Sequence, residues 1–342
     1  MTEQSGQSAI RRIVVGVDGS KAALDAVRWA AREAHTREVP LTVVHALHLP
    51  EAAVAPLEPE DFAERRQEAD LELLASTAAL IAASYPDLKM ETESTPGSAI
   101  HRLVELSAPD TLVVTGTRGH GGFVGMLLGS VSRALAGHAE GPLAVMRGSE
   151  HPVEDGLGDS LVGVIDSTGR SVRAPAVGGA AQGPVVLGIG PEAARPAIDF
   201  AFDTARRYGT GVRAVRAWWP ATPLLGTPMP GGGVEPGLAA PGVLSGGEPQ
   251  DGGEREAAWA EETIEPVRSH YPDVAVEIRA AAGNPVPVLS EASEDARLVV
   301  VGAHRRRLLF SVGAGYVVEG LLAHCPAPIA VVPVSAAAAP AD

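Results

Sequence analysis

The sequence has a single cysteine, Cys325, and aromatic residues make up only 4% of its 342 residues. One cysteine cannot form an intramolecular disulfide, so no covalent cross-link stabilises the folded chain. With so few aromatic rings, we expect the hydrophobic cores to be built from Ala, Val, Leu and Ile. Cys325 precedes the last apolar run, and we expect a buried, unreactive thiol there.

Long apolar runs and an excess of positive charge are also missing. No run of about 18 apolar residues could span a bilayer, and residues 1–12 lack the apolar segment of a secretion signal. The formal net charge of −15 repels nucleic-acid backbones and anionic lipids. We therefore expect a cytoplasmic protein that binds neither nucleic acid nor membrane. A nucleotide is not excluded, because backbone amides hold phosphate independently of net charge.

The chain contains an internal repeat. Five markers recur at one separation, 186 residues: Tyr85-Pro86-Asp87 with Tyr271-Pro272-Asp273, Gly97 with Gly283, Gly116 with Gly302, His138 with His324, and Pro142 with Pro328. Upstream the separation is shorter, since 188 − 16 = 172 for the glycine pair Gly16/Gly188 and 217 − 46 = 171 for Ala46/Ala217. The second copy therefore carries an insertion of about 15 residues, and the chain length fits two domains.

The repeat predicts a first domain at residues 8–148, a linker at 149–182 and a second domain at 183–336. Within the second domain, residues 219–253 are rich in Gly and Pro. This composition disfavours helix and strand interiors, so we predict a long inserted loop. A short apolar run at 161–165, inside the linker, predicts an isolated strand.

Short apolar runs alternate with amphipathic segments in each copy. In the first copy we predict strands at 12–17, 41–46, 90–95, 111–115 and 143–146, with helices between them. This order predicts a doubly wound α/β fold, with a five-stranded parallel sheet in each domain covered by helices on both faces. Ligands of such sheets bind at the carboxyl ends of the strands. Here those ends are Asp18, Ala46 and Gly116.

One segment combines two glycine motifs. Gly116-Thr117-Arg118-Gly119 follows an apolar strand, and Gly129-Ser130-Val131-Ser132 follows after nine intervening residues and opens a predicted helix. Glycines let backbone amides approach an anion closely, and the start of a helix offers free N–H groups. The two serine hydroxyls add donors. The segment predicts a phosphate-binding cradle.

The pattern G-x2-G-x9-G-[ST] after an apolar strand resembles the ATP-binding signature of the universal stress protein family. The opening run at residues 13–20 and Val131-Ser132-Arg133 are also similar to that family. The resemblance covers both copies. It implies two tandem Rossmann-like domains of the adenine nucleotide α-hydrolase type, which bind ATP together with Mg²⁺.

The resemblance also implies roles for individual positions in the first copy. Asp18 lies beside the nucleotide, and the backbone of Ala46 reads the adenine edge. The positions implied in nucleotide binding are Gly16, Asp18, Ala46, Gly116, Arg118, Gly119, Gly129, Ser130, Val131 and Ser132. Two of them have equally good alternatives, because Asp18 can simply cap the first helix and Arg118 can be a solvated loop residue. His45 has no partner at metal-ligand spacing, and we interpret it as a strand-end or surface histidine.

The second copy departs from the pattern at three positions. Gly190 replaces Asp18, Arg305 replaces the second glycine, and Tyr316 follows Gly315 where Ser130 follows Gly129. We expect these changes to weaken nucleotide binding there.

Three functions stay open. The first is an ATP-binding stress-response regulator with one intact site and an unknown protein partner. The second is a slow ATPase, although we identify no catalytic residue. The third is a nucleotide-independent interaction module. The family resemblance implies pairing through the last strands, 143–146 and 328–334, within the chain and, in addition, a possible homodimer.

Overall fold

The computed structural model describes residues 10–47, 60–117, 128–147, 163–165, 171–173, 183–190, 195–219, 249–304, 306–308, 311–313 and 315–334. The first half contains β1 (Arg12–Val17), α1 (Lys21–Arg37), β2 (Leu41–Leu47), α2 (Glu60–Ser84), β3 (Met90–Pro96), α3 (Ala99–Leu106), β4 (Thr111–Gly116), α4 (Ser130–His138) and β5 (Leu143–Met146). A short antiparallel hairpin follows, β6 (Gly163–Ile165) and β7 (Ser171–Arg173). The predicted strand at 161–165 corresponds in part to β6.

The second half repeats the order of the first. It contains β8 (Val185–Gly188), α5 (Arg195–Arg207), β9 (Val212–Trp218), α6 (Pro249–Arg268), β10 (Val276–Ala282), α7 (Pro285–Ala292), β11 (Leu298–His304), β12 (Arg306–Leu308), β13 (Ser311–Gly313), α8 (Tyr316–His324) and β14 (Ile329–Val334). β12 and β13 form an antiparallel hairpin directly after β11, which the sequence did not predict.

Ten strands form one continuous sheet in the order β10-β9-β8-β11-β14-β5-β4-β1-β2-β3. Each half contributes five parallel strands, which confirms the predicted doubly wound α/β fold in two tandem copies. The halves meet at β5 and β14, which pair antiparallel with Ala144 opposite Ala330. The two last strands therefore join the halves within one chain.

Helices cover both faces of the sheet. In the first half, Ile13, Val15 and Val43 face α1 and α2, while the alternate residues Val14 and Val44 pack with α3 on the other face. Near-continuous apolar strands are typical of parallel sheets buried on both faces. Among the largest fully buried side chains of the described residues, Phe202 alone is aromatic, as the composition predicted. Cys325 is buried too.

The predicted inserted loop is too long at its carboxyl end. Helix α6 begins at Pro249, so residues 249–253 are helical although two of them are glycines. A glycine in a helix costs only about 1 kcal/mol, and Gly252 has a packing role that offsets this. A β-carbon at Gly252 would lie 2.5 Å from the Trp218 ring, so only glycine lets that ring lie against α6.

A buried polar network joins α1 of the first half to α5 of the second. The Arg37 guanidinium donates to the Glu33 carboxylate, to Asp203 Oδ2 at 2.7 Å and to Thr204 Oγ1 at 3.1 Å. The Tyr208 hydroxyl donates to Glu33 as well, and burial together with the charge of Glu33 raises the pKa of Tyr208. We call these five residues the α1–α5 network. It couples the two halves on the face of the sheet that α1 and α5 cover, where α1 packs on β5 and α5 packs on β14.

The α1–α5 network makes stability sensitive to acid. Burial alone would raise the pKa of Asp203, but the hydrogen bond from Arg207 and the charges of Arg37 and Arg207 outweigh it and hold this pKa below its usual value. The resulting stabilisation is complete above the unfolded pKa of about 4. It is lost as the pH falls through the lower folded value.

We expect Asp203→Asn to flatten the pH dependence of the urea midpoint below about pH 4, because the variant has no carboxylate to protonate at this position. Urea titrations between about pH 2.5 and 5 measure it. An unchanged acid slope in the variant would show that Asp203 does not contribute.

Candidate functional site

Three strand ends lie side by side at one edge of the first half of the sheet. β1 lies between β4 and β2, with Val15 opposite Val114 and Val17 opposite His45. Gly116 lies two residues beyond Val114 and so falls beside Val17 in this register. Asp18 and Ala46 follow one residue further along. The structure thus brings the predicted site residues of three distant segments to one edge of the sheet.

Asp18 shapes the turn that leads from β1 into α1. Its carboxylate accepts a hydrogen bond from the Ser20 backbone N–H at 3.0 Å, and Gly19 between them has φ +78°. The N-cap of α1 is Ser20, whose hydroxyl accepts from the Ala23 N–H at 3.2 Å. The alternative role of Asp18 is therefore partly right, because Asp18 orders the turn although it is not the cap. This turn holds the carboxylate at the strand ends.

Two of the predicted glycines serve the packing of helices on the sheet. A β-carbon at Gly116 would lie 2.6 Å from the carbonyl carbon of Ala22 in α1. One at Gly16 would lie 3.1 Å from the Leu103 side chain in α3. Because real β-carbons do not approach backbone atoms so closely, Gly116 is required by α1 whether or not a ligand binds.

The start of α4 faces the same edge without a side-chain cap. Gly129 is the N-cap with φ −71° and ψ 154°, and among the described residues no side chain caps the first turn. The N–H groups of Ser130, Val131 and Ser132 belong to that turn, where a helix has no internal acceptors to offer. Of the five helices whose N-cap residue is described, α1, α3 and α7 have a side-chain cap, whereas α4 and α8 have none.

Short hydrogen bonds hold the α4 start against the end of β4. The Gly129 N–H donates to the Thr117 carbonyl at 2.7 Å, and the Thr117 N–H donates to Met146 in β5 at 2.8 Å. The Ser132 hydroxyl donates to the Gly116 carbonyl at 2.7 Å and is buried. Sequence reasoning gave this hydroxyl to a phosphate, but the structure uses it to fix the strand end. Ser130, by contrast, is exposed.

Arg118 and Gly119 lie outside the described residues. The glycine spacing was the strongest sequence signal, and its central part, residues 118–127, therefore has no structural account here.

His45 is the residue of this edge that sequence reasoning undervalued. Its ring is buried; Nδ1 lies 2.8 Å from the Val17 carbonyl oxygen and Nε2 lies 2.9 Å from Asp70 Oδ1 in α2. It is thus a strand-end histidine, as predicted, but not a surface one. The repeat could have revealed the role of His45. The separation of 171 residues that relates Ala46 to Ala217 places Arg216 at the equivalent position of the second copy.

The second copy differs from the first at the corresponding strand and helix ends. Gly302 needs glycine less strictly, since a β-carbon there would meet side-chain atoms, Val334 Cγ2 at 3.1 Å and Ala197 Cβ at 3.6 Å. Tyr316 opens α8, is 70% exposed, and its hydroxyl accepts from the Asn284 amide at 3.0 Å. Its ring therefore points outward into solvent instead of lying buried at the helix start. Arg305 lies outside the described residues.

No group of three or more His, Cys, Asp or Glu side chains is arranged to hold a metal ion in the described ranges. Within the same ranges, no helix is both long enough and apolar enough to cross a membrane.

Comparison with solved structures places the fold. A universal stress protein from Archaeoglobus fulgidus superimposes with a TM-score of 0.61 at 15% identity, covering 95% of this chain and 97% of that one. A putative universal stress protein from Pseudomonas aeruginosa gives a TM-score of 0.51 at 14% identity, with 96% and 94% covered. At these identities the likeness shows the shared fold alone.

Comparison of sequences identifies the family. The model of the universal stress protein family matches residues 9–147 and 183–333, one match in each half. A universal stress protein of Mycobacterium tuberculosis is 31% identical over 326 residues, which cover 88% of this chain and 89% of that protein. One from Mycolicibacterium smegmatis is 30% identical over 305 residues, covering 86% and 87%. The chain therefore belongs to the universal stress protein family, with two family domains in tandem.

Proposed function

We propose that this universal stress protein binds ATP, together with Mg²⁺, at one site in its first half and acts as a nucleotide-responsive regulator in the cytoplasm. The observation that carries the proposal is the start of α4, which has no side-chain cap among the described residues and lies against the end of β4, the strand next to β1 in the sheet. Free N–H groups and the positive end of a helix dipole suit a phosphate. Mg²⁺ is held mainly by phosphate oxygens and water in such sites, so a preformed cluster of protein ligands is not required.

Substitution of Gly129 tests the site without unfolding the domain. The φ and ψ of Gly129 are allowed for any residue, and Asp is a favoured N-cap. We expect Gly129→Asp to cap α4 with its own carboxylate, which occupies the free N–H groups and repels phosphate. ATP affinity should fall at least about a hundredfold while stability is kept. Isothermal titration with ATP and Mg²⁺ measures the affinity, and thermal unfolding measures the stability.

The matched control is Ser98→Asp. Ser98 caps α3, whose start follows the edge strand β3, whereas the start of α4 follows β4, three strands away in the sheet. This substitution adds the same charge and keeps a capping side chain, so ATP affinity should stay within about twofold of wild type. The proposal is wrong if the wild-type protein binds no ATP at millimolar concentration, or if both variants bind it equally well.

Mass spectrometry of the nucleotide retained by freshly purified protein tests independently whether ATP is bound. ATP that stays intact during a long incubation with the protein would argue against an ATPase.

A second candidate function concerns the other half. Trp219 is 71% exposed and Tyr316 is 70% exposed, both at the carboxyl edge of the second set of strands. Large exposed rings are enriched where proteins bind each other, which favours a protein-docking role for the degenerate copy. Loss of partner capture in Trp219→Ser, with ATP binding intact, would support this docking role.

A homodimer of whole chains would have to use a surface other than the β5–β14 junction, because each chain already pairs these two strands with each other.

A further inference from the structure

The His45 side chain connects three elements at the candidate site. Its ring joins the last residue of β1, through the Val17 carbonyl, to Asp70 near the middle of α2, while His45 itself belongs to β2. The histidine side chain is only 8% exposed and that of Asp70 is 22% exposed. We call His45, its bond to Val17 and its bond to Asp70 the strand-end bridge.

The chemistry of its partners sets the number of protons in the bridge. A backbone carbonyl can only accept a hydrogen bond, so Nδ1 of His45 must carry a proton. A carboxylate also only accepts, so the second bond needs another proton, either on Nε2 or on Asp70. The His45–Asp70 pair thus holds two protons when both bonds are made. A neutral imidazole beside an ionised carboxylate has one proton and can make only one of the two bonds.

The second copy contains the same bridge with a permanent cation. Arg216 donates to the Ile189 carbonyl at 3.3 Å and to Glu256 Oε2 at 2.7 Å. These residues are the repeat counterparts of the first bridge, since 216 − 45 = 171, 189 − 17 = 172 and 256 − 70 = 186. Both copies therefore place a basic side chain between the end of their first strand and an acid on their long helix. Arginine stays charged at every physiological pH, whereas histidine does not.

Among the described residues, neither neighbouring strand places a charged residue opposite His45. β3 places the uncharged Ser94 opposite His45, and the neighbouring Glu93 pairs with Arg102 of α3. Asp18, one residue beyond Val17, directs its carboxylate to the Ser20 N–H. The charged residues nearest to this end of the packed helices include Lys21 and Asp25 at the start of α1 and Arg65, Glu68 and Glu72 on α2.

We propose that His45 is a proton-dependent positioning residue, which holds the ends of β1 and β2 in place against α2 only when the His45–Asp70 pair carries both protons. Asp18 and Ala46 are the next residues along the two strands, so the bridge fixes how these two chain segments of the candidate site lie against α2. Loss of one proton breaks one bond and loosens them. ATP affinity therefore falls as the pH rises. This link to affinity rests on the proposed nucleotide site, whereas the bridge itself does not.

The bridge is tested first without nucleotide. Long-range ¹H–¹⁵N spectra of the full chain with ¹⁵N-labelled histidine report the protonation of each ring nitrogen, and the His45 signals are those absent from His45→Gln. Between about pH 5 and 9 we expect protons on both nitrogens at the acid end and on one at the alkaline end. A ring with one proton at every pH, or with two at every pH, would overturn the proposal.

The link to affinity is tested with variants. Wild-type ATP affinity should rise about tenfold, equivalent to roughly 1.4 kcal/mol, from the alkaline to the acid end of that range. His45→Arg, which introduces the side chain that Arg216 provides in the second copy, should bind ATP well at both ends of the pH range and lose this pH dependence.

ATP itself titrates in this pH range, so the experiment needs a control variant. His101→Gln, which removes an exposed histidine of α3, should show the same pH dependence as wild type. A pH profile of His45→Arg that matches wild type would overturn the link. If no variant binds ATP at any pH, the proposed function fails, and the nucleotide-free titration alone decides the bridge.

Discussion

Replacement of Arg37 by alanine is expected to lower the free energy of unfolding by about 3–5 kcal/mol. The guanidinium is the centre of the α1–α5 network, and its side chain is 3% exposed while that of Glu33 is 1% exposed. Without it, the Tyr208 hydroxyl is the one hydrogen-bond partner left to the buried Glu33 carboxylate among the described residues, and Asp203 loses a charged donor. A buried charge that has lost its partner costs far more than the original pair contributed. Urea unfolding followed by circular dichroism measures the change.

The control for this prediction is an arginine with similar partners at the surface. Arg102 also pairs with two carboxylates, Glu93 and Glu105, but its side chain is 33% exposed. Exposed pairs of this kind contribute at most about 1 kcal/mol, so Arg102→Ala should change stability by no more than that. Equal losses in the two variants would show that burial is not what makes the α1–α5 network important.

Gly116→Ala is expected to cost about 3 kcal/mol of folding stability, near the upper end of overpacking effects. The added methyl group would meet the carbonyl carbon, oxygen and β-carbon of Ala22 within 2.8 Å. Backbone atoms of a packed helix cannot rotate away, so α1 must shift as a whole. Thermal unfolding of the ATP-free protein measures this cost, which therefore does not depend on any ligand.

Gly302→Ala is the matched control, because it is the same change at the repeat position. There the new methyl group meets only side-chain carbons, at 3.1 Å from Val334 and 3.6 Å from Ala197. These can adjust, so we expect a loss of about 1 kcal/mol. Similar losses at both positions would mean that the contact with Ala22 does not determine the cost.

The strands and their order along the chain could be predicted because the information that specifies them is local. Val14, Val15 and Val17 in β1, or Leu112, Val113 and Val114 in β4, form short apolar runs with polar or glycine-containing turns after them. A parallel sheet buried on both faces requires such runs. The start of α4 at Ser130 follows equally from the Gly-Ser pair before an amphipathic segment.

The long-range roles of individual residues could not be predicted in the same way. Gly116 reads as the strand-end glycine of a phosphate cradle, although the backbone of α1 is what excludes a side chain there. Ser132 reads as a phosphate donor until its hydroxyl is seen on the Gly116 carbonyl. His45 has no neighbour in sequence that suggests Asp70, 25 residues away. Each of these contacts depends on how helices are placed on the sheet, which local patterns do not encode.

The β5–β14 junction has a further consequence for the way the two copies can change. In an assembly of two identical chains, dilution separates the partners, and every substitution appears on both sides at once. Here Ala144 and Ala330 face each other within one polypeptide, so the partner is present at an effective concentration of about millimolar or more whatever the protein level. Substitutions can therefore accumulate in one copy alone. Every molecule then contains one unaltered and one altered set of strand ends.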